Sequence, residues 1–199
     1  MTTETTTDTT TATSSTTPIA HIPKTDKQEA IPPAAVATSR STPQRTVIEF
    51  CTSEDSELAA SKYHSNPNDN FVRLTQWDDL TTTRGLKLAL KAVREAPGYV
   101  SLHGSLPCTG GTPWWHMILF KNHGAEKLRQ IHRNTMFKLL HNFEIVAKAV
   151  IKRGGTITYE WPESSDYWKD PTVQGVMNRL GLTYVTIHGC SLGWKSQFG

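Results

Sequence analysis

Short apolar runs bounded by turn-forming residues recur five times after residue 46. β-Branched and aromatic residues dominate each run, which is typical of strands. The pattern therefore predicts five short strands. These runs are residues 47–50, 71–74, 99–102, 156–159 and 184–187.

Segments with helical periodicity lie between the apolar runs. In the clearest one, residues 125–153, apolar positions recur every three or four residues until Gly154 and Gly155 end the pattern. Shorter helices are predicted for residues 83–95 and 171–180. Strands that alternate with helices form βαβ units, so we expect an α/β, Rossmann-like fold with a mostly parallel sheet and helices on both faces.

The first 45 residues differ in composition from the rest of the chain. They open on a Thr-rich run of low complexity and continue with scattered prolines. Such a segment lacks the apolar residues that a core needs. We therefore expect a disordered Thr/Pro-rich tail over residues 1–45, followed by one Rossmann-like domain over residues 46–199.

Cysteine usage and hydropathy bear on the compartment. Cys51, Cys108 and Cys190 are odd in number, far apart and outside any CxxC pair, which predicts neither a disulfide framework nor a metal site. The sequence shows neither a signal-peptide core nor an apolar run of about eighteen residues. We expect an intracellular protein, in the nucleus or the cytoplasm, that does not insert into a membrane.

Charge gives modest support for a nucleic-acid partner. The formal net charge of +3 is too small to identify one. Residues 121–153, however, carry eight lysines and arginines against only Glu126 and Glu144. Such a segment can hold phosphates, although a solvated helix face is the commoner origin of the pattern.

Ligands in parallel sheets bind at the carboxyl ends of the strands, so the residues after each run are candidates for chemistry. Residues 51–56 follow the first run and form a polar turn that either holds a ligand or only caps a helix. Cys108 follows the third run on a Pro- and Gly-rich loop, as a candidate nucleophile or an inert thiol. Glu160 ends the fourth run, where a carboxyl group is either solvated or kept protonated for a task.

Two of these strand ends carry recognisable motifs. Pro107-Cys108, followed one strand later by Glu160-Trp161-Pro162, resembles the Pro-Cys and Glu-Asn-(Val or Pro) motifs of the cytosine-5 DNA methyltransferases. The chain looks like a diverged and truncated member of that class.

Further segments fall in the same order as in that family. Residues 47–56 occupy the place of the first cofactor motif, residues 78–81 resemble the acidic turn after a later strand, and residues 189–193 resemble the turn after the strand beyond the acid. The resemblance covers roughly residues 46–195. The run Pro-Cys-Thr-Gly-Gly with a later Glu-Trp-Pro also resembles domains in polyproteins of retroelement type.

The resemblance implies a reaction and its residues. Cys108 would attack carbon 6 of an extruded cytosine, and Glu160 would contact ring nitrogen 3 while carbon 5 takes a methyl group from S-adenosylmethionine. Nucleic acid would be the partner, and another chain or domain is expected to complete the site. The residues implied to lie beside the cofactor are Glu49, Cys51, Ser53, Asp55 and Asp79.

Two alternatives remain open. The family's first motif is glycine-rich, whereas residues 51–56 contain no glycine, which favours a non-catalytic nucleic-acid-binding or scaffolding domain. A cysteine-dependent hydrolase is the other alternative, although spacing identifies no histidine that would activate Cys108. Trp114 and Trp115 are either platforms for an extruded base or core residues.

Overall fold

A four-stranded parallel sheet organises the part of the chain that the structure describes. The structure is a computed structural model, and it describes residues 44–59, 68–122 and 124–187. The strands are β1 (Arg45–Phe50), β2 (Asn70–Leu74), β3 (Tyr99–Gly104) and β4 (Thr156–Tyr159), in the order β2-β1-β3-β4 with every pair parallel. The fold is α/β and Rossmann-like, as the alternating pattern predicts. The predicted tail, residues 1–45, lies outside the described residues except for its last two positions.

Four α-helices connect or follow these strands: α1 (Thr83–Glu95), α2 (Trp114–Lys121), α3 (Ala125–Lys152) and α4 (Pro171–Arg179). Three of them match the helices that periodicity predicts, within one residue at each end. α2 was not predicted, because it has only two turns and is apolar almost throughout, so no periodic face marks it.

The core lies between the sheet and the pair α1 and α3, which pack side by side. Phe50 of β1 and Phe143 of α3 meet edge to face with ring centroids 5.5 Å apart, and both are fully buried. Gly104 ends β3 directly beneath Phe143, where a Cβ atom would lie 2.5 Å from the ring. The close approach of α3 therefore fixes the carboxyl edge of the sheet.

The connection from β1 to β2 is described only near its two ends. At its start, Ser56 donates a hydrogen bond to Glu49, whose side chain alternates with that of Phe50 and therefore points to the face of the sheet away from Phe143. The described part of the connection includes a 3₁₀ turn, Glu57–Ala59. Residues 60–67 lie outside the described residues.

The prediction of a fifth strand at residues 184–187 is wrong. These residues form no regular structure, and Tyr184, Val185 and Ile187 are exposed. Tyr184 instead packs edge-on against Trp168, with centroids 5.2 Å apart. The alternating pattern identified residues able to form a strand, but it could not show that another contact holds this segment.

Glu144 fastens α4 to α3. Its two carboxylate oxygens accept hydrogen bonds from Arg179 Nε at 2.7 Å and from the second Arg179 nitrogen at 2.9 Å, and Lys148 Nζ lies 2.7 Å from Oε1. The Arg179 hydrogen bonds, with smaller help from Lys148, lower the pKa of this nearly buried carboxyl from 4.5 to about 2. α4 is thus held by a charge pair that exists only while Glu144 is ionised.

The pKa of Glu144 is lower in the folded protein than in the unfolded protein, so the stabilisation is complete when the pH is well above the unfolded pKa of 4.5. It is lost as the pH falls from there to the folded pKa of about 2. We expect Glu144→Gln to cost about 1–2 kcal/mol near neutral pH, after allowance for screening at the half-exposed Arg179, and almost nothing near pH 2. Urea unfolding at the two pH values measures this, with the exposed Glu95→Gln as control. An equal loss at both pH values would contradict the assignment.

Candidate functional site

One cavity of about 780 Å³ lies at the carboxyl edge of the sheet. β1 has β2 on one side and β3 on the other, so the cavity sits where the direction of the crossovers reverses. In open parallel sheets this switch point is the usual place for ligands. We call it the switch-point cavity; it is lined by Cys51, Thr52, Ser53, Glu54, Asp55, Thr75, Gln76, Trp77, Leu80, Pro107, Thr135 and Leu139.

Cys51 begins the turn after β1 in a left-handed conformation, with φ of 66°. Its backbone N–H and that of Thr52 both donate to the carbonyl of Leu74, at 3.0 and 3.2 Å, which ties the turn to the end of β2. Burial raises the pKa of the Cys51 thiol to about 12. Cys51 therefore stays a neutral thiol and shapes the backbone at the cavity.

Glu49 supports the same turn from within the fold. It is buried, and its Oε1 accepts hydrogen bonds from Thr52 at 3.2 Å and from Ser56, while Oε2 lies 3.5 Å from Arg73 Nε. Glu49 does not line the cavity. The resemblance implies that Glu49 lies beside a cofactor. In the structure Glu49 instead lies behind the turn and holds it through Thr52 and Ser56.

Ser53 and Asp55 do line the cavity, as the resemblance implies. A hydrogen bond from Ser53, together with a smaller effect of the backbone, lowers the pKa of the exposed Asp55 carboxyl. Trp77 lies in the same lining with 74% of its surface exposed. The cavity therefore offers an ionised carboxylate, hydroxyl groups and a free indole face.

The acidic turn after β2 uses its carboxylates for its own structure. Asp78 accepts a hydrogen bond from the backbone N–H of Thr75 at 2.7 Å, and Asp79 accepts one from the Thr81 hydroxyl at 2.6 Å. Asp79 also adopts φ of 40° at the end of the turn and does not line the cavity. Trp77, which composition did not single out, faces the site from this turn together with Thr75, Gln76 and Leu80.

A second cavity, of about 480 Å³, lies beside Cys108. Pro107 lines the switch-point cavity and Cys108 lines this one, so consecutive residues of one loop line the two cavities. We call it the Cys108 cavity; its lining is Cys108, Thr112, Pro113, Trp114, Met117, Pro162, Ser164 and Ser165.

The loop that carries Cys108 rests on a fully buried ring, that of Tyr167. A Cβ atom on Gly111 would lie 2.6 Å from this ring, and one on Gly110 would lie 2.4 Å from its hydroxyl oxygen. On the other side of the loop, the indole of Trp115 donates to the carbonyl of Thr109 at 2.5 Å. The two glycines are therefore required for the backbone to approach Tyr167, and Trp115 acts as a core residue.

Glu160 lies at the same edge of the sheet as Cys108, among different neighbours. Its Oε1 accepts a hydrogen bond from Ser105 at 2.8 Å and lies 3.9 Å from His103 Nε2. The Glu160 side chain is 64% exposed and lines neither cavity. No hydrogen bond joins it to Cys108 among the described residues.

Trp161 points to the other side of the chain from Glu160. Its indole donates to the carbonyl of Leu106 at 2.7 Å, and its ring lies 5.0 Å from that of Tyr167. Trp161 thereby joins the loop after β4 to the loop that carries Cys108. In the Glu-Trp-Pro motif, the tryptophan positions the site and the carboxylate is free to meet solvent or a ligand.

Several of the basic residues predicted to hold phosphates have partners within the protein. Arg133 pairs with Asp170 at 2.9 Å and Lys148 pairs with Glu144. Arg153 donates to three carbonyl groups at the end of α1, including that of Ala96 at 2.9 Å. These cations stabilise the fold, which leaves fewer for a ligand.

Comparison of the chain with protein-family models, with curated proteins and with solved structures finds no match. None of the helices within the described ranges is long and apolar enough to cross a membrane. In those ranges, no three His, Cys, Asp or Glu side chains converge as a metal site. The predicted motif at residues 189–193 and Cys190 lie outside the described residues. Function must therefore be argued from the site itself.

Proposed function

We propose that the chain is a diverged S-adenosylmethionine-dependent methyltransferase-like domain that acts on cytosine in nucleic acid. One observation carries the proposal: consecutive residues of one loop, Pro107 and Cys108, line the cavity at the switch point and the second cavity. Transfer of a group between two bound molecules requires adjoining sites that hold the reacting atoms in contact. Pro107 and Cys108 also form the first of the two motifs, before Glu160-Trp161-Pro162, that resemble the cytosine-5 methyltransferases.

The lining of the switch-point cavity fits an adenosyl cofactor. Its volume of about 780 Å³ lies within the usual range for sites that hold molecules of this size. Trp77 offers an aromatic face to an adenine ring, and the ionised Asp55 offers an acceptor to ribose hydroxyls. Cys51 keeps the left-handed backbone for which glycine is usual at such turns. When bound, S-adenosylmethionine supplies an electrophilic methyl group.

Cys108 is the proposed nucleophile. Its sulfur, as the thiolate, would bond to carbon 6 of the cytosine, and the electron pair of the 5,6 double bond would move to carbon 5. Carbon 5 would take the methyl group as the S–CH3 bond of the cofactor breaks, with the demethylated thioether as the leaving group. Loss of the carbon 5 proton to water would then return an electron pair to the ring and expel Cys108 as the thiolate. Trp114 and Pro113 line the cavity as apolar surfaces for a flat ring.

Glu160 is the proposed partner of the ring. Its carboxyl group would contact ring nitrogen 3 and share a proton with it, which would stabilise the negative charge that develops when Cys108 adds. In the structure this carboxyl binds the Ser105 hydroxyl, so the role requires Glu160 to exchange Ser105 for the base. Its high exposure permits that exchange without disturbing the core.

Calorimetric titration of S-adenosylmethionine into the full chain tests the cofactor site. We expect saturable binding, and we expect Trp77→Ala to weaken it about tenfold because the variant removes a stacking surface. Tyr99→Ala, at the amino end of β3 and therefore at the opposite edge of the sheet, is the matched control and should bind as the natural chain does. A folded protein that gives no heat at near-millimolar ligand would contradict the proposal.

A second candidate function is a non-catalytic nucleic-acid-binding domain that keeps the sheet without the cofactor. Cys51 favours it, because its side chain adds volume at a turn where the methyltransferases have glycine. Oligonucleotide binding without any S-adenosylmethionine binding would select this candidate over the first.

A further inference from the structure

α2 and the first turns of α3 expose several large apolar side chains. Phe120 is 86% exposed and Trp114 is 66% exposed. Isolated exposed apolar residues are common, but a cluster of this kind marks an interaction site. We call it the α2 surface; its residues are Trp114, Met117, Ile118, Phe120, Leu128 and Ile131.

The α2 surface is continuous with the Cys108 cavity. Trp114 and Met117 belong to both, since each lines the cavity and is also exposed. A molecule whose reacting end occupies the cavity would therefore extend over α2. The surface and the cavity are best understood as parts of one binding region.

Basic residues lie on the same two helices as this surface, and the acid Asp166 lies 3.2 Å from His116 of α2. Lys121 ends α2, and Lys127 and Arg129 lie on the first turns of α3 beside a single acid, Glu126. Glu126 lies 3.9 Å from Arg129, whereas no carboxylate among the described residues pairs with Lys121 or Lys127. The rim of the α2 surface therefore suits a polyanion better than a neutral or a basic partner.

We infer that the α2 surface binds a single-stranded segment of nucleic acid next to the base that occupies the Cys108 cavity; the inference rests on the proposed function. Proteins commonly bind single-stranded nucleic acid with exposed aromatic rings next to lysines. The bases stack on the rings, and the phosphates contact the lysine side chains. A duplex keeps its base faces stacked inside and cannot offer them to Phe120. The α2 surface thus selects unpaired substrate.

Fluorescence anisotropy with the full chain tests this inference. The probes are a labelled oligothymidylate of about twelve nucleotides, which spans a typical single-strand site, and a duplex of the same length. Oligothymidylate contains no cytosine, so binding is measured apart from any reaction at Cys108. We expect the single strand to bind about tenfold more tightly than the duplex.

Two variants locate the contact. Phe120→Ala should weaken single-strand binding about tenfold, which is a typical effect of losing one stacked base. Lys121→Ala should reduce the slope of log affinity against log salt by about 0.7, the value for one phosphate contact on a single strand. Tyr99→Ala removes a partly exposed aromatic ring at the opposite edge of the sheet and should change neither quantity.

The outcomes separate this inference from the proposed function. Equal affinity for strand and duplex, or full affinity in Phe120→Ala, would overturn the inference while oligonucleotide binding itself still supported the proposed function. Dimerisation that Phe120→Ala abolishes, without oligonucleotide binding, would overturn it in favour of a protein partner. Because Phe120 is almost fully exposed, the variant should fold, and S-adenosylmethionine should still bind it in the calorimeter.

Discussion

Cys108→Ser is expected to abolish the covalent adduct between the protein and an oligonucleotide that contains 5-fluorocytosine. Once Cys108 has added to carbon 6 and carbon 5 has taken the methyl group, fluorine cannot leave as a proton does, so the cysteine stays bonded to the base. A serine hydroxyl has nearly the same shape but is a far weaker nucleophile near neutral pH, and we expect a loss of about a thousandfold or more. Mass spectrometry of the full chain, incubated with S-adenosylmethionine and the oligonucleotide, measures the adduct.

Cys51→Ser is the matched control for this experiment. Burial raises the pKa of the Cys51 thiol to about 12, so this cysteine is neutral and cannot replace Cys108 as the nucleophile. The adduct should therefore form with Cys51→Ser. If the adduct persisted in Cys108→Ser and disappeared in Cys51→Ser, the nucleophile would be Cys51 in the switch-point cavity. That result would remove Cys108 from the mechanism.

Tyr167→Ala is expected to lower the free energy of unfolding by about 3–5 kcal/mol, the usual cost of truncating a large buried ring. Tyr167 is fully buried, with the ring of Trp161 5.0 Å away and that of Phe137 6.2 Å away. The ring also supports Gly110 and Gly111 of the loop that carries Cys108. Urea unfolding measures the loss of stability. The same loop carries Pro107, which lines the switch-point cavity, so the folded fraction of the variant should also bind S-adenosylmethionine more weakly.

Tyr167→Phe separates the ring from its hydroxyl. The hydroxyl is buried and makes no hydrogen bond within the described residues, and burial raises its pKa to about 12. Removing such a group is expected to leave the stability unchanged or to raise it by up to about 1 kcal/mol. A loss as large as that of Tyr167→Ala would show that the hydroxyl has a partner on which the loop depends.

The strands and long helices were predictable because β-branched and aromatic runs mark the strands and a three- to four-residue apolar spacing marks the helices. The periodicity of residues 125–153 and the cap at Thr82, whose hydroxyl accepts from the Gly85 N–H at 3.1 Å, are local signals that tertiary packing reinforces. α2 escaped prediction since it is apolar on all sides. The segment 184–187 has the alternation of a strand, yet Trp168 holds Tyr184 instead.

Only one aspect of the candidate site was predictable: which residues follow the carboxyl ends of the strands. The rule that ligands bind beyond the carboxyl ends of parallel strands brought Ser53, Asp55 and Cys108 to cavities. It could not show that Asp79 hydrogen-bonds within its own turn, or that Glu49 points into the fold to hold Ser56. Those outcomes depend on side-chain direction and on neighbours distant in sequence.

Methyl transfer itself is the most direct test of the proposed function. The full chain is incubated with S-adenosylmethionine that carries a labelled methyl group and with a single-stranded oligonucleotide, in one form with cytosine and in another with thymine at every such position. We expect label on carbon 5 of cytosine with the natural chain, none with Cys108→Ser, and none on the thymine form. If both the cytosine oligonucleotide and the cofactor bind but the oligonucleotide stays unlabelled, the result would contradict the proposal that the cavities lined by Pro107 and Cys108 serve one reaction.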